Sequence, residues 1–242
     1  MWNGRKMGFE ELYTSGRYLE KWPTWHVEIS PWQARQITRM MERNHVTPKT
    51  ICEVGCGAGE ILKQLQAHMN DGSIFWGYEI SPQAFELCQS RANERLHFKL
   101  ADFTQEKDAF FDLVLIIDVI EHVEDCFSFL RAIKSKGSYK ILHIPLDMAA
   151  KTIMQGRLIS MLEDHGHIHY FTKDTALRIL KNVGYEVLDY FVTSPSLDLP
   201  TNSGINEIRR RLMKLPRKLL FAIDNDLAAR TLGGYSLMVL AR

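Results

Sequence analysis

The stretch Glu53-Val-Gly-Cys-Gly-Ala-Gly59 constrains this chain more than any other. It follows a short β-prone run, Thr50-Ile51-Cys52, and opens a segment with apolar residues at Ile61, Leu62, Leu65 and Met69, which is a helical period. The order is strand, glycine turn, helix. Glycines at Gly55, Gly57 and Gly59 let the backbone turn tightly and approach a ligand without a Cβ in the way. A dinucleotide loop spaces its glycines G-x-G-x-x-G. Here the third glycine comes one position early, and Glu60 occupies the dinucleotide position. An acid, Glu53, also stands at the strand end. This spacing disfavours a nicotinamide dehydrogenase.

Acids recur at later strand ends. Residues 73–80 read as a second strand whose Glu79 can accept two hydrogen bonds from a ribose diol. Residues 96–101 read as a third strand, ending at Asp102-Phe103. Residues 111–118 are nearly all apolar, as a strand buried on both faces should be, and run into Val119-Ile-Glu-His-Val123. This series, beginning with E-x-G-x-G-x-G, resembles class I S-adenosylmethionine-dependent methyltransferases. Residues 119–123 resemble that family's fourth motif. Gly166-His-Ile-His-Tyr-Phe-Thr172, followed by residues 176–185, resembles the segment before the last helix of small-molecule members.

The resemblance spans residues 50–193 and extends to 235–242. It implies an α/β fold with a Rossmann-like, doubly wound, seven-stranded sheet, mostly parallel with an antiparallel last strand. It implies S-adenosyl-L-methionine as cofactor, with the glycine loop around its methionine part. Glu53, Gly55, Gly57, Gly59, Glu79, Ile80, Asp102, Phe103 and Asp118 are the expected cofactor contacts. In the family the Asp102-Phe103 position bonds and covers the adenine. Glu53 is expected to bond loop amides or the cofactor's ammonium rather than act as a base.

Strands alternate with helices, which implies parallel pairing through crossovers. Ser30-Pro31 and Ser81-Pro82 each place an N-cap residue before a first-turn proline, and Thr172 and Gly184 bracket a further helix. Further strands are expected at 139–144, 186–193 and 235–241. Residues 1–46, with Tyr13, Tyr18, Trp22, Trp25, His26 and Trp32, are expected as a helical cap on a 47–242 methyltransferase domain. Residues 194–234 are far longer than a hairpin needs and read as a lid-like insertion. Both extra segments can cover the carboxyl edge of the sheet, where open α/β folds bind ligands. The cap aromatics suit either a core of their own or stacking on a planar or sugar substrate.

His122 is the expected catalytic residue, as a base on an oxygen nucleophile. It follows Asp118 by one helical turn, so both can border one cleft. Asp118-x-x-Glu121-His122 also has donors adequate for a divalent metal, and some quinone-pathway O-methyltransferases resemble this arrangement. The alternating His165, His167 and His169 offer a metal, a phosphate or a proton site, or merely brace a loop. The expectation is that no metal is held.

The chain has 242 residues, 45% of them hydrophobic, enough for one sizeable core. A net charge of +1 gives no global pull toward nucleic acid. No run reaches the length of a transmembrane helix. The cysteines, Cys52, Cys56, Cys88 and Cys126, form no C-x-x-C pair, which suits a reduced, cytoplasmic setting. Residues 208–218 carry Arg209, Arg210, Arg211, Lys214, Arg217 and Lys218 without an acid. With Ile208, Leu212, Met213 and Leu215 they suggest an amphipathic helix, either solvated or in weak contact with an anionic surface. The expected function is O-methylation of a small molecule or glycan. The alternatives are an RNA or protein methyltransferase and a non-catalytic S-adenosylmethionine-binding regulator.

Overall fold

A computed structural model of the chain describes residues 9–69, 72–199 and 207–242, with the side chains of 12–69, 72–199 and 214–242. The N-terminal helices are α1 (Phe9–Thr14), α2 (Arg17–Lys21) and α3 (Ser30–Arg43). Five β-strands follow, separated by α-helices except between β3 and β4: β1 (Thr50–Val54), α4 (Glu60–His68), β2 (Ile74–Glu79), α5 (Pro82–Gln89), β3 (Leu96–Leu100), β4 (Phe111–Ile117), α6 (Cys126–Lys134) and β5 (Gly137–Pro145). The chain continues through α7 (Ala150–Met154), α8 (Arg157–His165), α9 (Lys173–Asn182), β6 (Val187–Thr193), α10 (Pro195–Asp198), α11 (Glu207–Ile223), α12 (Asn225–Leu232) and β7 (Ser236–Ala241).

The strands form one seven-stranded sheet in the order β3-β2-β1-β4-β5-β7-β6. β1 to β5 pair in parallel, while β7 runs antiparallel to both β5 and β6. This is the expected doubly wound topology. Alternation along β4 shows how it is stabilised. Leu113, Leu115 and Ile117 face a core shared with α3 and α4, and Val114 and Ile116 face the core of the opposite layer with α6 and α9. A strand apolar at every position fits only where both faces are covered.

Local signals act as expected at two helix starts. The Ser81 hydroxyl accepts from Ala84 N–H at 3.3 Å, and Thr172 forms a capping box with Thr175. Ser30 does not cap. It is the first residue of α3 and buried, with Ile29 at the N-cap and no side-chain cap bond. The 194–234 segment forms α10 to α12. Within the basic run, Lys214 Nζ donates to the Leu199 carbonyl at 2.6 Å and Arg217 Nη2 to the Gly233 carbonyl at 2.7 Å, so both fasten the segment to itself. Leu215, one of the apolar positions of the expected amphipathic helix, is 65% exposed. The side chains of 208–213 lie outside the described residues.

Helix α3, expected with the cap, packs directly on the sheet. Ile37 and Met40 are fully buried against Ile51, Leu115 and Met238. Removing a buried methyl cluster there should unfold the whole domain more easily, not detach a peripheral helix. Ile37→Ala is expected to cost about 2–5 kcal/mol in a single urea transition. Two separate transitions, with the main one unmoved, would show α3 to be an independent cap.

Candidate active site

Strand order reverses between β1 and β4, since β2 and β3 lie to one side and β5 to the other. Loops leaving the carboxyl ends of β1 and β4 therefore diverge and open a crevice. A cavity of about 470 Å³ occupies it. The β1 loop supplies Glu53, Gly55, Cys56, Gly57 and Ala58. The β2 end supplies Glu79 and Ile80, and the β4 end supplies Asp118, Val119, Glu121 and His122. Tyr13, Tyr18, Trp25 and His26 from the N-terminal segment line the same space, as do His165 and His167.

The loop glycines have different reasons to be glycine. Gly57 has φ +54°, and a Cβ there would stand 2.5 Å from Cδ1 of Trp25. The Trp25 indole thus lies against the bare loop. Gly59 is absent from the cavity lining, and a Cβ on it would meet Phe98 at 2.5 Å. The space a Cβ would take there is filled by Phe98 of β3 and Cys88 of α5.

Glu79 organises the loop. Its Oε2 accepts from Gly57 N–H at 2.7 Å, and its Oε1 accepts from Ile80 N–H at 2.9 Å and Ser81 N–H at 2.8 Å. Burial raises its pKa, and the bonds from Ser81, Gly57 and Ile80 oppose that rise. Oε2 keeps a lone pair for a further donor. Glu53 is buried with Oε2 unpartnered, and burial, then the Glu79 charge, push its pKa well above the usual carboxylate range. An orphaned buried acid is costly unless a donor arrives.

Asp118 adopts φ +52°, an unusual backbone for a side-chain-bearing residue. Its Oδ1 accepts from His143 Nδ1 at 2.7 Å and its Oδ2 from Gln33 Nε2 at 2.9 Å. Burial alone would raise its pKa, yet His143 and further histidines hold it low. Asp102 and Phe103 do not line the cavity. Asp102 is exposed and caps the turn at Phe103–Gln105 through Thr104 N–H, and Phe103 is buried against Tyr78 and Phe111.

A second polar cluster stands across the cavity. The Tyr13 hydroxyl donates to the His165 carbonyl at 2.9 Å, so its oxygen accepts from Nδ1–H of His122 at 2.8 Å. The same Nδ1 is 3.1 Å from the Gly166 carbonyl, which can only accept. His122 therefore carries its proton on Nδ1 and presents a bare Nε2. Burial and then His167 lower its pKa to about 4, so it is neutral near pH 7. Burial also raises the Glu121 pKa well above the carboxylate range. His167 Nδ1 is 2.6 Å from Asp147 Oδ2. His169 instead donates to the Val123 carbonyl at 2.9 Å and braces the loop after β4. Of the alternating histidines, His165 and His167 reach the cavity and His169 does not.

The family model of a methyltransferase domain matches residues 33–190. The chain belongs to the methyltransferase family. The chain is 28% identical over 182 residues to the mitochondrial ubiquinone biosynthesis O-methyltransferase of Schizosaccharomyces pombe, covering 69% of the chain and 60% of that protein. It is 33% identical over 91 residues to norajmaline N-methyltransferase of Rauvolfia serpentina, covering 35% of the chain and 30% of that protein. The chain thus spans less than two thirds of the length of the first relative and less than a third of the second. Among solved structures, the magnesium protoporphyrin IX methyltransferase of Synechocystis PCC 6803 superimposes with a TM-score of 0.63 at 14% identity, covering 96% of this chain and 97% of that one.

Sequence reasoning missed Gln33, His143 and Asp147. Gln33 and His143 lie on elements that read as ordinary helix and strand, and Asp147 follows a strand end as solvated acids often do. Tertiary pairing alone reveals them.

Glu79→Ala would strip the acceptor from three amides and from any ribose hydroxyl. S-adenosylmethionine affinity should fall by about 1.5–3 kcal/mol, roughly 10- to 100-fold in Kd, measured by calorimetry on the folded variant. Unchanged affinity would assign the ribose to another residue.

Glu53 supplies a pH test. Its native pKa lies above its unfolded value, so the folded chain retains a proton that the unfolded chain releases above the ordinary value of 4.5. Stability without donor must then fall as pH rises past that value. Glu53→Gln should be the more stable protein at pH 7, with the difference closing below pH 4.5. A Gln variant less stable at pH 7 would mean that Glu53 is ionised and paired.

Proposed function

We propose that this methyltransferase transfers a methyl group from S-adenosylmethionine to a hydroxyl of a small molecule or glycan. One cavity unites the glycine loop with a cluster of acid and imidazole groups, and this carries the reading. The residues suit the donor. Glu53 offers its unpartnered Oε2 to an ammonium group, Glu79 offers the spare lone pair of Oε2 to a ribose hydroxyl, and the Gly55–Gly57 turn presents bare backbone, with the Trp25 indole resting against Gly57. When bound, S-adenosylmethionine supplies a methyl group made electrophilic by the sulfonium charge.

The remaining demand is on the acceptor. Its oxygen must be held in line with the methyl carbon and must lose its proton as the O–C bond forms and the S–C bond breaks. His122 meets this demand from the protein side, since its Nε2 has no hydrogen of its own and its ring is fixed by Tyr13 and Gly166. The aromatic wall of Tyr13, Tyr18 and Trp25 offers flat contact surface for an acceptor of modest size. The S. pombe relative named as an O-methyltransferase supports oxygen as acceptor, and the R. serpentina relative named as an N-methyltransferase makes nitrogen the competing case.

The test is transfer of a labelled methyl group to matched hydroxyl, amine and RNA acceptors. Product on hydroxyl acceptors is expected, and product confined to amines or RNA would overturn the reading. His122→Ala should lower turnover by about 10²–10⁴ while donor affinity stays within a few-fold. Full turnover in that variant would remove His122 from acceptor activation.

A further inference from the structure

We infer that Glu121, His122 and His167 form a binding site for one divalent transition-metal ion, open toward the methyl-acceptor side of the cavity. The inference deepens the proposed function and rests on it only for the metal's role, not for the site. No metal was expected from the sequence, and the motif set weighed there was Asp118 with Glu121 and His122. The structure makes a different set. One ligand atom from each of Glu121, His122 and His167 lies within 4.8 Å of the others. Asp118 is outside the set, because Gln33 and His143 engage its two oxygens.

Three independent features point to a cation. The Glu121 side chain is fully buried, and neither carboxylate oxygen has a hydrogen-bond partner. Among buried side chains such a double vacancy is costly, and a cation on those oxygens removes the cost. Next, both imidazoles are committed through Nδ1. His122 donates to the Gly166 carbonyl and Tyr13, and His167 donates to Asp147 Oδ2. Each ring is thereby turned so that Nε2 is the atom left for the cavity. A metal-binding histidine is held in this way, its other nitrogen bonded to a carbonyl or carboxylate. Finally, the backbone fixes the geometry. The Glu121 carbonyl accepts from both Ile168 and His169 N–H, at 2.8 and 3.1 Å, which holds the loop carrying His167 beside Glu121.

Two imidazoles and one carboxylate suit a borderline ion such as Zn²⁺, Co²⁺ or Mn²⁺ better than Mg²⁺ or Ca²⁺, which favour all-oxygen sites. Three protein ligands leave at least one position open. All three residues line the cavity that also holds the glycine loop, so that position is available to an oxygen of the acceptor. With Nε2 of His122 on the ion, that ring no longer serves as the base; an acceptor hydroxyl at the open position becomes more acidic and loses its proton to water before its oxygen takes the methyl group. Acceptors with two adjacent oxygens would gain most, since both can face the ion.

The probe is Co²⁺, titrated into the untagged full chain without donor or acceptor and followed by its visible absorption and by calorimetry. One equivalent should bind saturably, with Zn²⁺ displacing it. Glu121→Gln keeps the shape of the side chain and should fold. It should weaken Co²⁺ at least 10-fold while S-adenosylmethionine affinity is retained. His167→Ala should act likewise, and Asp147→Asn should weaken Co²⁺ about 10- to 100-fold by freeing the His167 ring. Absence of saturable binding by the wild-type chain, or binding indifferent to Glu121→Gln and His167→Ala, would overturn the site. The two proposals fail separately. Methyl transfer undiminished by a chelator, with no Co²⁺ bound, leaves the transferase reading intact and removes the metal. Co²⁺ bound at these residues, with no transfer to any hydroxyl, does the reverse.

Discussion

The parallel pairing of β1 with β4 is the constraint on which the site depends. Cys52 faces Val114 and Val54 faces Ile116 across that ladder, so the two chains leave the sheet side by side. One continues into the glycine turn and α4, the other into the Asp118–Val123 turn. Each return helix covers a different face, so no backbone crosses the gap between them. The next register carries the effect outward. Ile117 pairs with His143, which brings the His143 ring under Asp118. On the other side Val54 pairs with Tyr78, and the Tyr78 carbonyl accepts from both Gly55 and Cys56 N–H, which locks the loop to the end of β2. A slip of two residues in any of these ladders would separate the acids that line the cavity.

The sheet was legible because its strands and turns are over-specified locally. A run as apolar as Phe111–Ile117 has few places to go except the middle of a covered parallel sheet, and glycines at strand ends mark the turns. That Glu53, Gly55, Gly57 and Glu79 would gather at one cavity was legible for the same reason, since they occupy fixed places in a strand–turn–helix pattern. Gly59 shows the limit of that logic. It is part of the same pattern, yet the atoms that need the space are those of Phe98 and Cys88 in the core. The acceptor side was only half visible. His122 follows a strand end, but its partner Tyr13 is a hundred residues away in sequence and His167 lies on a loop after α8. What joins them is hydrogen bonding through carbonyls of His165 and Gly166, and no residue pattern encodes a carbonyl's direction.

The N-terminal segment shows a similar division of labour. Its aromatics could not be assigned from sequence to a core or to a ligand, because the same residue types serve both. The structure buries some and sets others at the rim of the cavity. Trp32 is buried and donates through Nε1 to Asp198 at 2.9 Å, which fastens α3 to the insertion between β6 and β7. Trp22 stacks on His165 with ring centroids 5.2 Å apart, and Trp25 lies on the glycine loop. The two segments that lie outside the alternating core are therefore tied to each other and to the site's rim. Because Trp25 rests against Gly57 in the free chain, donor entry at that loop must reckon with the indole. It must either accept the ring as a wall or displace it.

Glu53 and Glu121 are buried acids with unpartnered oxygens; among the described residues, unpartnered buried side-chain atoms also occur in His165, Arg217, Asp226 and Tyr235, of which only His165 lines the cavity. Each of the two acids costs the free protein stability, and neither is needed for packing, where a Gln or Leu of similar volume would serve. Both line the same cavity, Glu53 at the end of β1 and Glu121 on the loop leaving β4. Glu53 is beside the turn that approaches the donor, and Glu121 is beside two imidazoles whose free nitrogens face the same way. A sequence under selection for folding alone would lose such groups, so their joint presence marks positions where charge is to be received. An ammonium group at one and a divalent ion at the other would each convert a local defect into a bond. On that view the donor and acceptor halves of the site follow the same rule: the free fold leaves an acid unsatisfied, and ligand binding completes it.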